Sequence, residues 1–240
     1  MILHDDQKKY SDLHDVNLFI AVTESLKYPL AIIGQSAEFL QDKHNRQIAS
    51  GITGTARNTV RLLDHYLLSL RLQQFEPSLM PVSISANLVE AAHQLESLAR
   101  HYDCDIELSV GGRYEPVMAH NEGLTAALYD MGTVLLESHT QQSSDKRSII
   151  KLAVHRTRHG LTAGVFTNRQ GIDASVLRRG KALYGRAVSP VSHLASAPGV
   201  GLFIADSLLK NMSAGLRVAR HKNMAGLAAT FNSSSQLTII

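Results

Sequence analysis

The first 75 residues carry a hydrophobic pattern that is typical of two long helices. Over residues 12–75 apolar or small side chains recur every three or four positions, first at Phe19, Val22, Leu26, Leu30, Ile33, Ala37 and Leu40. After a polar stretch the second run follows at Ile52, Ala56, Thr59, Leu63, Tyr66 and Leu70. The alternating steps of four and three in the second run form a heptad seam, which predicts left-handed helix packing. A lone hairpin leaves such seams uncovered, so we expect two copies of the chain to pair as a four-helix bundle.

Prolines mark the boundaries in this half of the chain. Pro29 lies inside the first helix, where its missing N–H and its ring predict a bend. Pro77 and Pro81 follow the second helix closely and end it. We therefore divide the chain into a helical hairpin at 1–76, a linker at 77–81 and a second domain at 82–240.

The second domain alternates between two periodicities. Short runs with period two predict strands at 82–84, 106–110, 149–155, 161–166, 216–220 and 227–231. Runs with helical spacing predict helices at 87–102, 122–139 and 200–211. Strands that alternate with helices in this way predict a layered α/β sandwich with its helices on one face. The expected fold class of the whole chain is α+β.

Composition narrows the classes of protein to which the chain can belong. With 240 residues, of which 44% are hydrophobic, and a formal net charge of +3, the chain has enough apolar material for a folded core. A single cysteine, Cys104, excludes an intrachain disulfide framework. No apolar run approaches the ~18–20 residues of a membrane span, and residues 1–6 do not resemble a signal peptide. We expect a cytoplasmic protein.

Charge and histidine content point to no further chemistry. The basic residues are scattered and aromatic residues make up only 5% of the chain, so nucleic-acid binding is not expected. A DNA-associated regulator is the weakest alternative, and only the excess of basic over acidic residues supports it. The 12 histidines, His65 among them, lack the spacing of zinc ligands, and each is expected at the surface.

Four stretches of the chain carry short motifs in a specific order. Residues 19–30 end in Lys-Tyr-Pro-Leu, residues 121–137 form a helix that opens with Asn-Glu, residues 197–206 hold Pro-Gly-Val-Gly-Leu, and residues 225–231 close the last strand. Together they resemble the core of a sensor histidine kinase, over residues 12–232. The resemblance implies a dimerising hairpin that presents a phosphoacceptor histidine and an ATP-binding domain of the gyrase and Hsp90 type. It also implies a response regulator or a partner kinase as the binding partner.

The chain departs from that family at the positions that handle phosphate and metal. Counting back from Pro29, Glu24 stands where the phosphoacceptor histidine is expected, and a carboxylate cannot replace the imidazole nucleophile. Two asparagines of the family, one of which holds Mg²⁺, align with Asp130 and Val134. The valine offers a hard cation no oxygen ligand.

The glycine motifs of the family are altered as well. The motif whose aspartate hydrogen-bonds adenine aligns with a segment that keeps Asn168 and Gly171. The last glycine box keeps Gly199 and Gly201, but Pro198 supplies no N–H to a phosphate oxygen. Both glycines also suit a loop-to-helix turn that binds no phosphate. The predicted remnants of a nucleotide pocket are Asp130, Asn168, Gly171, Gly199 and Gly201.

The resemblance and the departures together imply a two-component signalling protein that keeps the kinase scaffold without its chemistry. We expect a dimeric, non-catalytic regulator or phosphorelay scaffold, with no catalytic residue, no metal and no cofactor. The alternative is a divergent active histidine kinase or phosphotransferase that still binds ATP and Mg²⁺. Glu24 is then either a fixed negative charge that mimics a phosphorylated hairpin or an exposed helix carboxylate.

Overall fold

The computed structural model of the chain describes residues 46–74, 78–138, 147–169, 171–181 and 198–232, together with six earlier positions. All six are helical, namely Val22, Ser25, Leu26, Pro29, Ile32 and Ile33. The helices of the described ranges are α1 (Arg46–Gln74), α2 (Ile84–His101), α3 (Asn121–Ser138), α4 (Ala174–Lys181) and α5 (Pro198–Lys210). The predicted bend at Pro29 involves neighbours that lie outside the described residues, so it stays a prediction.

The strands form two sheets of unequal size. Their bounds are β1 (Met80–Val82), β2 (Cys104–Ser109), β3 (Val117–Ala119), β4 (Ser148–Thr157), β5 (Gly160–Thr167), β6 (Arg217–His221) and β7 (Met224–Phe231). β1 and β3 pair antiparallel as a small sheet, and the five-stranded sheet has the order β2-β4-β5-β7-β6. β2 runs parallel to β4, and each of the other neighbouring pairs is antiparallel.

The main core lies between the helices and one face of the large sheet. α3 is its central helix, buried from Gly123 to Leu136, with α2 and α5 packed against it. Along β4, Ile150 and Leu152 join this core, while Ala153 belongs to a small cluster with Phe166 on the other face of the sheet. Since side chains alternate between the two faces of a strand, the hydrophobic pattern fixes which face the helices cover.

The predicted layered α/β sandwich is confirmed, and its large sheet has five strands. α1 confirms the second predicted helix over its described residues. The strand predicted at 82–84 is wrong in its bounds, because β1 ends at Val82 and α2 begins at Ile84. The Ser83 hydroxyl accepts a hydrogen bond from the Ala86 N–H and so caps α2, which converts Ile84 to a helical residue. β3 and α4 form in stretches that the periodicity did not mark.

Candidate functional site

The predicted site residue Asp130 contacts a histidine of α1. Nδ1 of His65 in α1 lies 2.8 Å from Oδ1 of Asp130 in α3, and their side chains are only 12% and 2% exposed. The expectation that His65 lies at the surface is therefore wrong. Oδ2 of Asp130 is buried without a hydrogen-bond partner among the described residues. The buried carboxylate thus depends on one imidazole for its compensation.

Burial and charge act in opposite directions on this pair. Burial raises the pKa of Asp130, and the neighbouring imidazole only partly offsets that rise. Burial by itself lowers the pKa of His65, but the charge and the hydrogen bond of Asp130 outweigh it, so the pKa of His65 is raised. Because the two groups titrate together, the proton between them belongs to the pair.

α1 and α3 lie antiparallel, with contacts at intervals of seven residues. Leu72 Cδ1 would lie 3.2 Å from a Cβ added at Gly123, His65 pairs with Asp130, and Asn58 Nδ2 donates to Glu137 Oε1 at 3.3 Å. These three contacts extend over 14 residues of α1, or about 21 Å. A seven-residue repeat keeps the same two faces together, so α1 follows α3 along most of its length.

An aromatic ring fills the space between the polar contacts. Tyr129 packs edge-on against the His65 ring at a centroid distance of 5.6 Å, and its hydroxyl donates to Asn58 Oδ1 at 3.3 Å. The Arg61 guanidinium lies 4.8 Å from the centroid of the same ring and also donates to the Gln94 carbonyl in α2. Polar groups thus contribute to the contact between α1 and the sandwich in this region, next to the buried ring of Tyr66 in the main core.

Val134 stands at the position of the second asparagine of the family, and its apolar side chain is buried there. Val134 is 1% exposed, and a Cβ added at Gly201 would lie only 2.8 Å from its Cγ2. Gly199 and Gly201 both lie within the first four residues of α5, which begins at Pro198. The glycine at 201 lets α5 approach α3 closely, as a residue without a side chain does.

The other two predicted remnants, Asn168 and Gly171, lie at the sheet. Asn168 Oδ1 accepts from the Ile149 N–H at 2.9 Å, and its Nδ2 donates to the Arg147 carbonyl at 3.0 Å. A Cβ added at Gly171 would meet Cβ of Ala225 at 2.8 Å. Asp130, Val134 and Gly201 therefore lie close together. Asn168 instead binds the backbone at the start of β4. Glu24, the position of the expected phosphoacceptor, lies outside the described residues.

Two general features are missing from the described part of the chain. It holds no cluster of three or more His, Cys, Asp or Glu side chains that could bind a metal ion. None of its helices is long and apolar enough to cross a membrane.

Comparison with known proteins identifies the fold of the chain. Neither a family model nor a curated protein sequence matches the chain. Full-length ShkA, solved in complex with AMPPNP, superposes with a TM-score of 0.53 at 17% identity, over 92% of this chain and 46% of ShkA. The histidine kinase AdeS of Acinetobacter baumannii superposes with a TM-score of 0.54 at 12% identity, over 88% of this chain and 98% of AdeS. The chain thus has the fold of a histidine kinase core, as the sequence motifs indicated, and spans less than half of ShkA.

Proposed function

We propose that the chain is a dimeric, non-catalytic regulator of two-component signalling that acts in the cytoplasm. The observation that carries this proposal is the pairing of Asp130 with His65. In the family that the chain resembles, this face of the helix is turned to the nucleotide. Here its carboxylate is engaged by the chain's own hairpin helix, and Val134 packs against α5 one turn further on.

The chemistry of the site residues supports the same proposal. Neither Val134 nor Gly201 offers a side-chain oxygen to a magnesium ion, and the side-chain amide of Asn168 is already bonded to the backbone of β4 and the residue before it. A nucleotide that entered beside Asp130 would have to displace His65 and leave the buried carboxylate without its partner. With Glu24 at the phosphoacceptor position, the hairpin has no imidazole to attack a γ-phosphate there.

Two exposed apolar side chains on α1 support the dimer. Val60 and Leu67 are 56% and 47% exposed and are separated by one heptad, so they share a face of the helix. By contrast Tyr66, a member of the predicted seam, is buried within its own chain. We infer that a second copy covers the face at Val60 and Leu67, and that a response regulator or partner kinase binds the resulting bundle.

Nucleotide titration tests the non-catalytic proposal. We expect no change in melting temperature with Mg-ATP, and no label transferred to the chain from γ-labelled ATP, with an active histidine kinase core as the positive control. A ligand at 100-fold excess over its Kd would stabilise the fold by about 2.7 kcal/mol, which such a titration detects easily. Stabilisation together with transferred label would instead establish the divergent kinase.

The dimer is tested separately, by sedimentation of the whole chain. The variant Leu67→Glu places a charge on the proposed shared face and is expected to sediment as a monomer. Val89→Glu is the matched control, because Val89 is exposed to the same degree, 47%, but lies on α2. Equal sedimentation of the two variants would contradict the proposed interface.

A further inference from the structure

The face of the large sheet that points away from the described helices, here called the outer face, has a small core of its own. Ala153, Phe166 and Ala228 are fully buried and form the cluster on this face. The Phe166 ring lies over Gly164, where an added Cβ would be only 2.9 Å from its Cζ. The imidazole of His221 packs against the same ring at a centroid distance of 5.3 Å. The outer face thus holds an imidazole on a closely packed apolar base.

A row of polar side chains crosses the outer face from β4 to β6. His155 is the register partner of Thr162, and Thr162 is the partner of Thr230, so their side chains lie side by side on one face. From β6, Nη2 of Arg217 donates to Thr162 Oγ1 at 3.4 Å and to Thr230 Oγ1 at 2.9 Å. The guanidinium therefore reaches across β7 to β5, close enough to His155 for its charge to lower the pKa of that imidazole.

This row contains more hydrogen-bond donors than its own oxygens can accept from. The Nε and Nη1 hydrogens of Arg217 have no acceptor among the described residues, because its two hydrogen bonds both come from Nη2. The Thr162 and Thr230 oxygens are 2.9 Å apart, so one hydroxyl donates to the other, and the second keeps its proton for a further acceptor. Nδ1 of His155 and Nε2 of His221, on rings 5.6 Å apart, are buried without a partner in the described part of the chain. A negatively charged oxygen would supply the missing acceptor.

The carboxylates of the large sheet do not reach this row. Of its five strands only β2 carries them, at Asp105 and Glu107, and β2 is the opposite edge strand from the one that holds Arg217. Each carboxylate also has its own cation, Arg147 at 2.6 Å from Asp105 and Lys151 at 2.7 Å from Glu107. The charge of Arg217 is therefore not balanced from within the sheet.

The distribution of charge along the chain favours an anion at the outer face. Residues 147–240 hold 13 lysines and arginines but only 2 aspartates and glutamates, whereas residues 1–146 hold 11 and 19. The basic residues form no contiguous run, so this imbalance is seen only when the two parts are counted separately. Of the two carboxylates, Asp206 is paired with lysines in α4 and α5 on the helix side of the sheet. An anion that approaches the outer face thus meets a positive potential.

We propose that Arg217, His155 and His221 bind a phosphate group on the outer face of the sheet. Thr162 and Thr230 are positioning residues, which hold the guanidinium in place. A guanidinium presents its N–H groups in a planar fork that matches phosphate oxygens, and Arg217 is exposed, so the ligand reaches it from solvent. The phosphate is either free or carried as a monoester by a small metabolite, since both present the same oxygens.

The site is independent of the proposed function. It lies on the opposite side of the sheet from Asp130, and phosphate binding there involves no transfer to the chain. If Mg-ATP stabilises the chain through the outer face, Arg217→Gln removes that stabilisation. Stabilisation by a nucleotide beside Asp130 would persist in the same variant.

Proton NMR of the full chain, read at the imidazole Cε1–H signals, tests the site. The variants His155→Gln and His221→Gln assign the two signals. Chloride is replaced by inorganic phosphate at constant pH and ionic strength, and the titration is repeated with glycerol 3-phosphate. We expect both signals to shift and to saturate. A smaller Kd for the monoester identifies a metabolite as the ligand, and a smaller Kd for inorganic phosphate identifies the free ion.

Matched arginine variants make the outcome specific. Arg217→Gln should raise the Kd for phosphate by at least about tenfold, because it removes charge-assisted hydrogen bonds. Arg220→Gln removes the same charge from the same strand, but Arg220 pairs with Ala225 and lies on the other face, so the Kd should change by less than about twofold. Arg217→Lys keeps the charge without the fork; it should also weaken binding, and it replaces Arg217→Gln if that chain does not fold. Shifts that do not saturate, or equal Kd values for the folded Arg217 and Arg220 variants, overturn the proposal.

Discussion

The close approach of α5 to α3 gives a prediction whose sign depends on one distance. Gly201 lies inside α5, and replacing a glycine within a helix by alanine ordinarily stabilises the fold by about 0.5–1 kcal/mol. Here the new Cβ would lie 2.8 Å from Cγ2 of Val134. Two carbon atoms prefer a separation of about 3.5–4.0 Å, so the helices would have to move apart by most of an ångström.

The surroundings leave little room for that movement. Val134 is 1% exposed, and a β-branched side chain in a helix has one strongly preferred rotamer, so it cannot rotate away from the new methyl group. Overpacking of this kind costs about 1–3 kcal/mol. We therefore expect Gly201→Ala to lower the free energy of unfolding by about 1–2 kcal/mol after the gain in helix propensity is subtracted.

Urea denaturation of four variants tests this prediction. Gly201→Ala should lower the midpoint without changing the slope, while Gly215→Ala, where no atom lies within 4 Å of the new Cβ, should leave the midpoint nearly unchanged. The double variant Gly201→Ala/Val134→Ala removes the clashing methyl groups and, compared with Gly201→Ala and Val134→Ala alone, should show a favourable coupling of at least about 1 kcal/mol. A Gly201→Ala chain that is more stable than the original, or strictly additive effects in the double variant, would refute the packing argument.

Two further predictions concern buried charge. Glu137→Gln should differ little from the original chain in stability at pH 5 and should be more stable at pH 8 by up to about 3 kcal/mol. The reason is that the raised pKa of Glu137, about 7, makes ionisation of this carboxyl costly in the folded state. Parallel urea titrations at the two pH values check this, and an equal difference at both contradicts it. Asp206 in α5 is 4% exposed on its side chain and pairs with Lys181 at 2.8 Å and Lys210 at 2.9 Å. Asp206→Asn should cost about 1–3 kcal/mol, since both lysines lose a charged partner, and an unchanged urea midpoint would show that the pairs contribute nothing.

The elements that the sequence predicted well are those whose local pattern and tertiary surroundings agree. α1 and β4 follow periodic runs, so the period identified them. β5 is buried on both faces, and it was found as a short run of mainly apolar and small residues. β1 and the start of α2 were misplaced because Val82, Ser83 and Ile84 alternate like a strand, whereas the capping hydroxyl of Ser83 decides in favour of the helix. Hydrophobic alternation over three residues is too short to outweigh a cap.

The pairing of His65 with Asp130 could not be predicted in the same way. The two residues are 65 positions apart, and no local pattern reports which helix faces which. One signal was nevertheless present, since Asn58, Arg61 and His65 recur with helical spacing and form a polar stripe along α1. Such a stripe is usually solvated, and only the tertiary fold shows that here it covers another helix.

The polar stripe of Asn58, Arg61 and His65 affects how α1 associates with the sandwich. An apolar contact of the same length would bind α1 permanently, since burial of apolar surface does not depend on pH or on competing polar ligands. Contacts between units that separate and rejoin are more polar, because each side must also be stable in water. Asn58, Arg61 and His65 meet that condition, while Leu72 keeps one end of the helix anchored against Gly123. The contact is thus apolar at Leu72 and carries these polar groups over the part around Asn58 and His65, next to the buried ring of Tyr66.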